Sequence, residues 1–350
     1  MAKKTDDIVE EAKQTTYKTN KMIRFIPTSS DISDLILGGG HGWGKIVNII
    51  GDKSTGKTLL TLEGLYKVKN QLKDKVSIIY DDCESGFSFD IEDMYGEKDF
   101  VTALDPPSDS VEDFNHNLQT QMKSLKKDKY LIYIVDSLDG LTSKAEQQRD
   151  VERTKAMEAG KPYVKGTYGQ EKQKFMSEFF RLRTKDIKDK NVLLIVISQV
   201  RGNIGVTFGN KFSRSGGKAL DFYAGQIYWL AEADKMIKKA NDVPIGIRTK
   251  LRCSKNKLGK PFRFGFIDIL FDYGVDNVST NINYLYNLLT PPGKLERSNT
   301  RKVEWDGQEY TLRALVKHIE SNDLEKELTK RVKDKWQQAE DDRAPRKRKM

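Results

Sequence analysis

Cysteine and histidine are scarce in this sequence. Its 350 residues hold two cysteines, Cys83 and Cys253, and three histidines, His41, His116 and His318. Two cysteines in separate segments exclude a disulfide scaffold, and no group of these residues has zinc-ligand spacing. Long hydrophobic runs are absent too. The amino-terminal MAKKTDDIVEEAK lacks the apolar core of a secretory signal, and no stretch is long enough to span a bilayer. The expected compartment is the cytoplasm, with no membrane partner. Acidic charge is in the minority: 51 Asp and Glu stand against 61 Lys and Arg, a net charge of +10. That balance favours a polyanionic partner, nucleic acid being the usual one, although a merely soluble basic protein carries it equally well. Hydrophobic residues are 37% and charged residues 32%, so a core requires clustering of the apolar positions, and they do cluster into strand-length runs. The length allows one large α/β domain with appendages, or two modest domains.

The stretch GDKSTGKT, residues 51–58, is a glycine-rich turn ending in lysine and threonine. Before it, KIVNIIG reads as a buried strand. After it, Leu59, Leu62, Leu65, Tyr66 and Val68 recur at helical spacing. A phosphate loop joins a strand to a helix in this way, so the context supports the motif. Gly51 and Gly56 let backbone N–H groups turn toward phosphate oxygens, helped by the helix amino terminus. Lys57 brings positive charge to the β- and γ-phosphates, and the Thr58 hydroxyl is a Mg²⁺ ligand. The candidate ATP cradle is therefore Gly51, Asp52, Lys53, Ser54, Thr55, Gly56, Lys57 and Thr58.

Four more runs read as buried strands: 75–82, 130–137, 191–198 and 226–233. Helical stretches fall between most of them, which predicts crossover units and a mainly parallel central sheet flanked by helices. Ligands of such sheets sit at the carboxyl ends of the strands. The first three of these strands end in Asp82 with Glu84 behind it, in Asp136–Ser137, and in Ser198–Gln199. Asp136 is the candidate holder of Mg²⁺ through its water, and Ser137 beside it is a candidate cofactor-binding residue. Glu84 reads as the base that orients the attacking water, or as a solvated turn residue. Gln199 reads as a γ-phosphate sensor, or as an amide that merely opens a loop.

That loop, residues 200–218, is glycine-rich and carries no acidic residue. It is too polar for core and too long for a simple connection. It reads as a surface loop or as one that orders on a DNA backbone. Arg201, Asn203, Lys211, Arg214 and Lys218 would serve phosphates, with Ile204 wedged between bases. Upstream, Lys174, Ser177 and Arg181 share one helical face, either solvated or DNA-facing. Downstream, Lys255 and Lys257 flank Asn256 at strand alternation. Two like charges on one face call for an anion opposite them.

Five stretches in this order resemble the RecA family of recombinases, in the bacteriophage-encoded, UvsX-like form. They are SDLILGGGHGWGKIVNIIGDKSTGKT, IIYDDCES, YIVDSLDGLTSK, NVLLIVISQVRGNIGVTFGNKFSRSGGKALDFYA and RTKLRCSKNKLGKPFRFGFIDILFDYGV, together spanning about residues 30–290. The resemblance implies a DNA-dependent ATPase that uses ATP and Mg²⁺. Such a protein forms helical filaments on single-stranded DNA, pairs them with duplex DNA and exchanges strands in recombination and repair. Catalysis would fall to Glu84, Lys57 and Gln199. Lys255 and Lys257 would reach the γ-phosphate of the neighbouring subunit's ATP, and Phe222 would lie in that same interface. Gly216, Gly217 and Lys218 would open a helix holding a DNA phosphate.

The resemblance also implies an organisation. Residues 1–29 would pack on the adjacent protomer, with Ile23, Phe25 and Ile26 supplying a strand. The core, 30–290, would carry DNA-binding loops at about 145–172 and 200–218. Beyond the resemblance, the residues themselves read as a turn at Asp306–Gly307 and two amphipathic helices, a small helical region over 296–340, followed by a basic tail, 341–350, in place of the family's acidic one. Where the family stacks a tyrosine on adenine this chain has Ile91, which leaves Phe89 as the candidate contact. The host cytoplasm is the implied location, and single-strand-binding and loader proteins are implied partners. Two rivals share the core: a hexameric helicase or DNA motor, and a regulatory ATPase that binds DNA without strand exchange. The paired lysines argue against the first and the full 200–218 loop against the second.

Overall fold

Runs such as VLLIVIS carry no polar face, so the strands they form must be covered on both sides. The computed structural model meets this demand with a nine-stranded sheet between two helical layers. It describes residues 25–86, 91–96, 100–162, 170–202, 212–213, 217–237, 243–290, 294–295 and 301–345. In chain order the sheet strands are β1 (Ile46–Gly51), β2 (Val76–Asp82), β3 (Thr102–Ala103), β4 (Tyr130–Asp136), β5 (Val192–Gln199), β6 (Gln226–Ile237), β7 (Pro244–Asn256), β8 (Phe264–Leu270) and β9 (Gly274–Val275). Their spatial order is β9-β8-β7-β6-β1-β5-β4-β2-β3. From β6 through β1 to β3 every pairing is parallel; from β6 to β9 every pairing is antiparallel. The expected mainly parallel α/β sheet is present, extended by an antiparallel wing.

Alternation along each strand feeds the two layers. Val47, Ile49, Ile132, Ile134, Leu193, Ile195 and Ile197 belong to one core. There they meet helices α1 (Asp31–Leu37) and α2 (Lys57–Leu72). Ile46, Ile50, Tyr133, Val135, Leu194 and Val196 belong to the other. That side is covered by α3 (Val111–Ser124), α5 (Gln170–Asp189) and α6 (Gly217–Tyr223), and α4 (Lys144–Glu158) lies between α3 and α5 in sequence. α4 buries none of its residues. The segment expected as a loop over about 145–172 is thus helical through Glu158. It begins with a capping box in which Ser143 and Glu146 exchange side-chain and backbone hydrogen bonds.

After α7 (Asn277–Leu285) the carboxyl-terminal part differs from the expected helical appendage. It opens with a hairpin, Lys302–Trp305 paired to Gln308–Thr311, before helices α8 (Leu312–Ser321) and α9 (Glu325–Asp342). Asp306 and Gly307 take φ of 49° and 78°, the left-handed pair that a two-residue hairpin turn requires. Val303, Trp305, Leu315, Ile319, Leu328 and Val332 join the same core as the phosphate-loop helix. This part therefore shares the chain's main core, with its two helices packed on α7 and the second also on α1. At the other end Phe25–Ile26 pairs with His41–Gly42 of its own chain, and Ile26 is buried in the core. These two residues are thus engaged within the chain; Ile23 lies outside the described residues.

Within the antiparallel wing, Arg248 and Asp268 form a buried two-point ion pair at 2.5 and 2.7 Å. Asn283 adds a hydrogen bond to the carboxylate at 2.9 Å. Asp268→Ala would leave a guanidinium buried without its carboxylate, so urea unfolding should register a loss of about 3–5 kcal/mol. A loss below about 1 kcal/mol would mean that water reaches this pair.

Candidate nucleotide site and DNA-facing surface

The turn between β1 and α2 is shaped by its glycines. A Cβ on Gly51 would lie 2.5 Å from the Thr55 hydroxyl oxygen. At Gly56, φ is +84° and a Cβ would lie 2.4 Å from Ile269 Cδ1. Only glycine fits either place. Thr55 donates its hydroxyl to the Asp52 carbonyl at 2.9 Å, and Lys57 Nζ donates to the same carbonyl at 2.7 Å. The lysine is thus folded over the turn. Burial moves Lys57 below the ordinary lysine value, opposed by the charges of Asp136, Glu84, Asp52 and Asp139. Asp52, Lys53 and Ser54 are exposed along the turn.

The parallel register brings the strand ends to this turn. Thr58 Oγ1 donates to Asp136 Oδ2 at 2.7 Å, and the Tyr80 hydroxyl donates to the same oxygen at 2.6 Å. Burial raises Asp136 above the usual carboxylate value, and these two donors oppose the shift. A hydroxyl and a carboxylate in contact form a hard oxygen donor set of the kind Mg²⁺ prefers. Ser137 Oγ donates to Glu84, and Gln199 Nε2 lies 2.8 Å from each of the two Glu84 oxygens. Glu84 is exposed in the turn after β2, with its carboxylate tied to Ser137 and Gln199. Gln199 is fixed in turn through its own backbone N–H, which donates to Asp139 Oδ2 at 2.8 Å.

Beside the turn lies a cleft of about 620 Å³, lined by residues 54–59, Met94, Ile269, Phe271 and Tyr273. Glu63 on α2 accepts the Val275 N–H with its two oxygens at 3.0 and 3.2 Å, which ties the 271–275 turn to the phosphate-loop helix. Phe271 and Tyr273 are both more than half exposed at the cleft. Phe89 lies outside the described residues, so these aromatics are the observed candidates for a base contact. Sequence reasoning missed Tyr80, Asp139, Glu63, Met94, Phe271 and Tyr273. Exposed aromatics two apart after an apolar strand were the available signal for the last pair.

Lys255 and Lys257 lie elsewhere. Lys255 Nζ donates to the carbonyls of Asp221 and, at 2.8 Å, Phe222; Lys257 Nζ reaches the Phe222 carbonyl at 3.1 Å. Both ammonium groups thus cap the carboxyl end of α6, where the helix dipole favours them. Between them Asn256 is buried and donates to the Leu37 carbonyl at 2.8 Å. Phe222 is 68% exposed, which excludes a role in the chain's own core.

On α5, Lys174, Ser177 and Arg181 are exposed while Met176, Phe179 and Phe180 are buried. Arg201–Gly202 pairs with Phe212–Ser213, so the start of the 200–218 loop is held against a later segment of it. Gly217 and an exposed Lys218 begin α6. Asn203, Ile204, Lys211, Arg214 and Gly216 lie outside the described residues. No helix among the described residues is long and apolar enough to cross a membrane.

Comparison with known proteins agrees with this arrangement. Residues 11–276 match the family model described as the RecA N-terminal domain. The RecA protein of Methylococcus capsulatus is 31% identical over 255 residues, 72% of this chain and 67% of that protein. Bacillus subtilis RecA is 29% identical over 259 residues, 74% of this chain and 68% of its own length. Azoarcus RecA is 31% identical over 260 residues, 73% of this chain and 68% of the relative. A crystal structure of the RadB recombinase superposes with a TM-score of 0.50 at 16% identity, covering 72% of this chain and 98% of that one, which speaks to the fold alone. By sequence and by fold, the chain belongs to the RecA family of recombinases.

Proposed function

We propose that this protein polymerises on single-stranded DNA with ATP held between subunits, pairs the filament with homologous duplex and exchanges strands. One observation carries the reading. Thr249 on β7 donates its hydroxyl to the Thr55 carbonyl at 3.1 Å, so it is level with the phosphate loop. Lys255 lies six residues further along the same strand, a distance of about 20 Å. That gap is longer than a lysine side chain. Both ammonium groups face away from the chain's own nucleotide site, where a second subunit can present its ATP to them. A ring motor on this core would ordinarily complete its site with an arginine, and these lysines favour the filament.

Each group then has a task. The turn 51–58 takes the phosphates on its N–H groups, and Lys57 exchanges the Asp52 carbonyl for a phosphate oxygen. Thr58 and Asp136 would hold Mg²⁺, which neutralises charge developing on the phosphates. Glu84 orients the attacking water and takes its proton. Gln199 exchanges the Glu84 carboxylate for the γ-phosphate, and the strand it ends leads directly into the 200–218 loop. ATP occupancy is thereby linked to the DNA grip. The Leu-Thr-Ser-Lys sequence at 141–144 supports the UvsX-like, phage-encoded version, acting in the host cytoplasm with loader and single-strand-binding partners.

Electron micrographs with single-stranded DNA and a non-hydrolysable ATP analogue test the reading: helical filaments are expected, and closed rings or scattered monomers would overturn it. The DNA grip has a finer signature. Affinity for poly-dT should fall linearly with salt on a log–log scale, each phosphate contact contributing about 0.7 to the slope. Arg201→Ala and Lys218→Ala should each weaken binding and flatten the slope by one contact's share. Ile204→Ala should weaken binding at unchanged slope, because wedging between bases is apolar. Wild-type affinity and slope in all three would remove the loop from the DNA site.

A further inference from the structure

A second cleft, of about 430 Å³, lies between β8, α7 and α9. It shares no residue with the nucleotide cleft beside the phosphate loop. Its size falls within the range of small-ligand pockets. Phe264 and Phe266 line it from the sheet, Tyr284 from α7 and Trp336 from α9. The Tyr284 and Trp336 rings lie 5.8 Å apart at 41°. Phe264 is 54% exposed at the mouth, with the Lys250 ammonium 4.8 Å from its ring centroid.

Two polar features make this more than an apolar gap. Asn283 lines the cleft at 2% exposure, and its amide nitrogen is used by Asp268 at 2.9 Å. Its carbonyl oxygen is buried with no hydrogen-bond partner among the described residues. An unmet buried acceptor costs about 1–3 kcal/mol, so a donor from a ligand would recover that cost. At the rim, Lys260, Arg263 and Arg343 converge on the single carboxylate of Glu340, at 2.8, 2.5 and 3.6 Å. Three cations share this one carboxylate, and Arg263 and Arg343 both line the cleft.

We propose that this cleft binds a nucleotide, its base among the aromatic rings with an N–H donated to Asn283 Oδ1 and its phosphate on Arg263 and Arg343. A fatty or purely apolar ligand would leave the amide oxygen unmet and the rim charge unused. A bare anion would use the rim and ignore the rings. A nucleotide uses all three, because a base offers both a stacking face and a donor edge. A free nucleotide and one nucleotide of a DNA strand share this chemistry.

Full-length Lys57→Ala protein, with its phosphate loop disabled, is titrated calorimetrically with deoxyadenosine monophosphate. One saturable site is expected, with 2-deoxyribose 5-phosphate binding roughly tenfold or more weaker, the share of one stacked base. Phe264→Ala combined with Arg343→Ala should weaken the nucleotide by a similar or larger factor. Both side chains are largely exposed, so far-ultraviolet dichroism and melting should stay as in the parent. A short oligo-dA that displaces the mononucleotide assigns the site to a strand; failure to displace assigns it to free nucleotide. Absence of saturable binding at millimolar concentration, equal binding of the baseless sugar phosphate, or indifference to the double substitution would each overturn the proposal. None of those results would touch the filament reading, which rests on other residues.

Discussion

Glu84→Gln protein should still assemble on single-stranded DNA with ATP while hydrolysing it roughly 10²-fold more slowly, or slower still. The substitution preserves shape and one acceptor oxygen, so the Ser137 hydroxyl keeps a partner. What disappears is the carboxylate proposed to take a proton from water at the γ-phosphate. Asp136 is committed to Thr58 and Tyr80, and Asp139 holds the Gln199 N–H. ATP affinity should change little, because Lys57, Thr58 and the turn are untouched. Single-turnover hydrolysis beside nucleotide-binding and filament assays separates the two effects. Near-normal turnover would remove Glu84 from the base role, and lost nucleotide binding would make it a structural residue.

What the sequence made legible here is local. The phosphate turn, its strand and its helix occupy one continuous stretch, and its glycines are dictated by the backbone itself. The strands announced themselves because both faces are buried, and their polar last residues mark the carboxyl edge. Contacts between distant segments were not legible. Tyr80 meets Asp136 across 56 residues and Asp139 meets Gln199 across 60, and no periodicity encodes such pairs. Phe271 and Tyr273 reach the phosphate turn only because the wing folds back through β7 and β8. Helix α4 escaped for the opposite reason. It buries nothing, so it has no apolar stripe, and its signal was the Ser143–Glu146 capping box alone. The carboxyl-terminal hairpin was half visible: Asp306–Gly307 marked a turn, but strands of four residues carry too little alternation to be recognised.

Lys255→Ala and Lys257→Ala should each abolish DNA-stimulated hydrolysis while leaving the monomer folded. Neither ammonium is part of the core; each caps the last carbonyls of α6, a contribution of about 0.3–1 kcal/mol at an exposed helix end. Melting should therefore hardly move, and loss of activity cannot be blamed on unfolding. Each variant should also bind ATP as the parent does, because its own phosphate turn is some 20 Å away along β7. Lys57→Ala has the converse defect, a damaged turn beside intact lysines. Mixing it with Lys255→Ala protein creates junctions in which an intact turn faces intact lysines, so part of the activity should return. With equal amounts and random assembly, about one junction in four is intact, since each half must come from the right parent. Recovery near a quarter of the parent rate, rising and falling with the mixing ratio, would place the lysines in trans. A mixture no more active than its two components would mean that they act within their own subunit or only on assembly, and ATP would cease to be the joint between protomers.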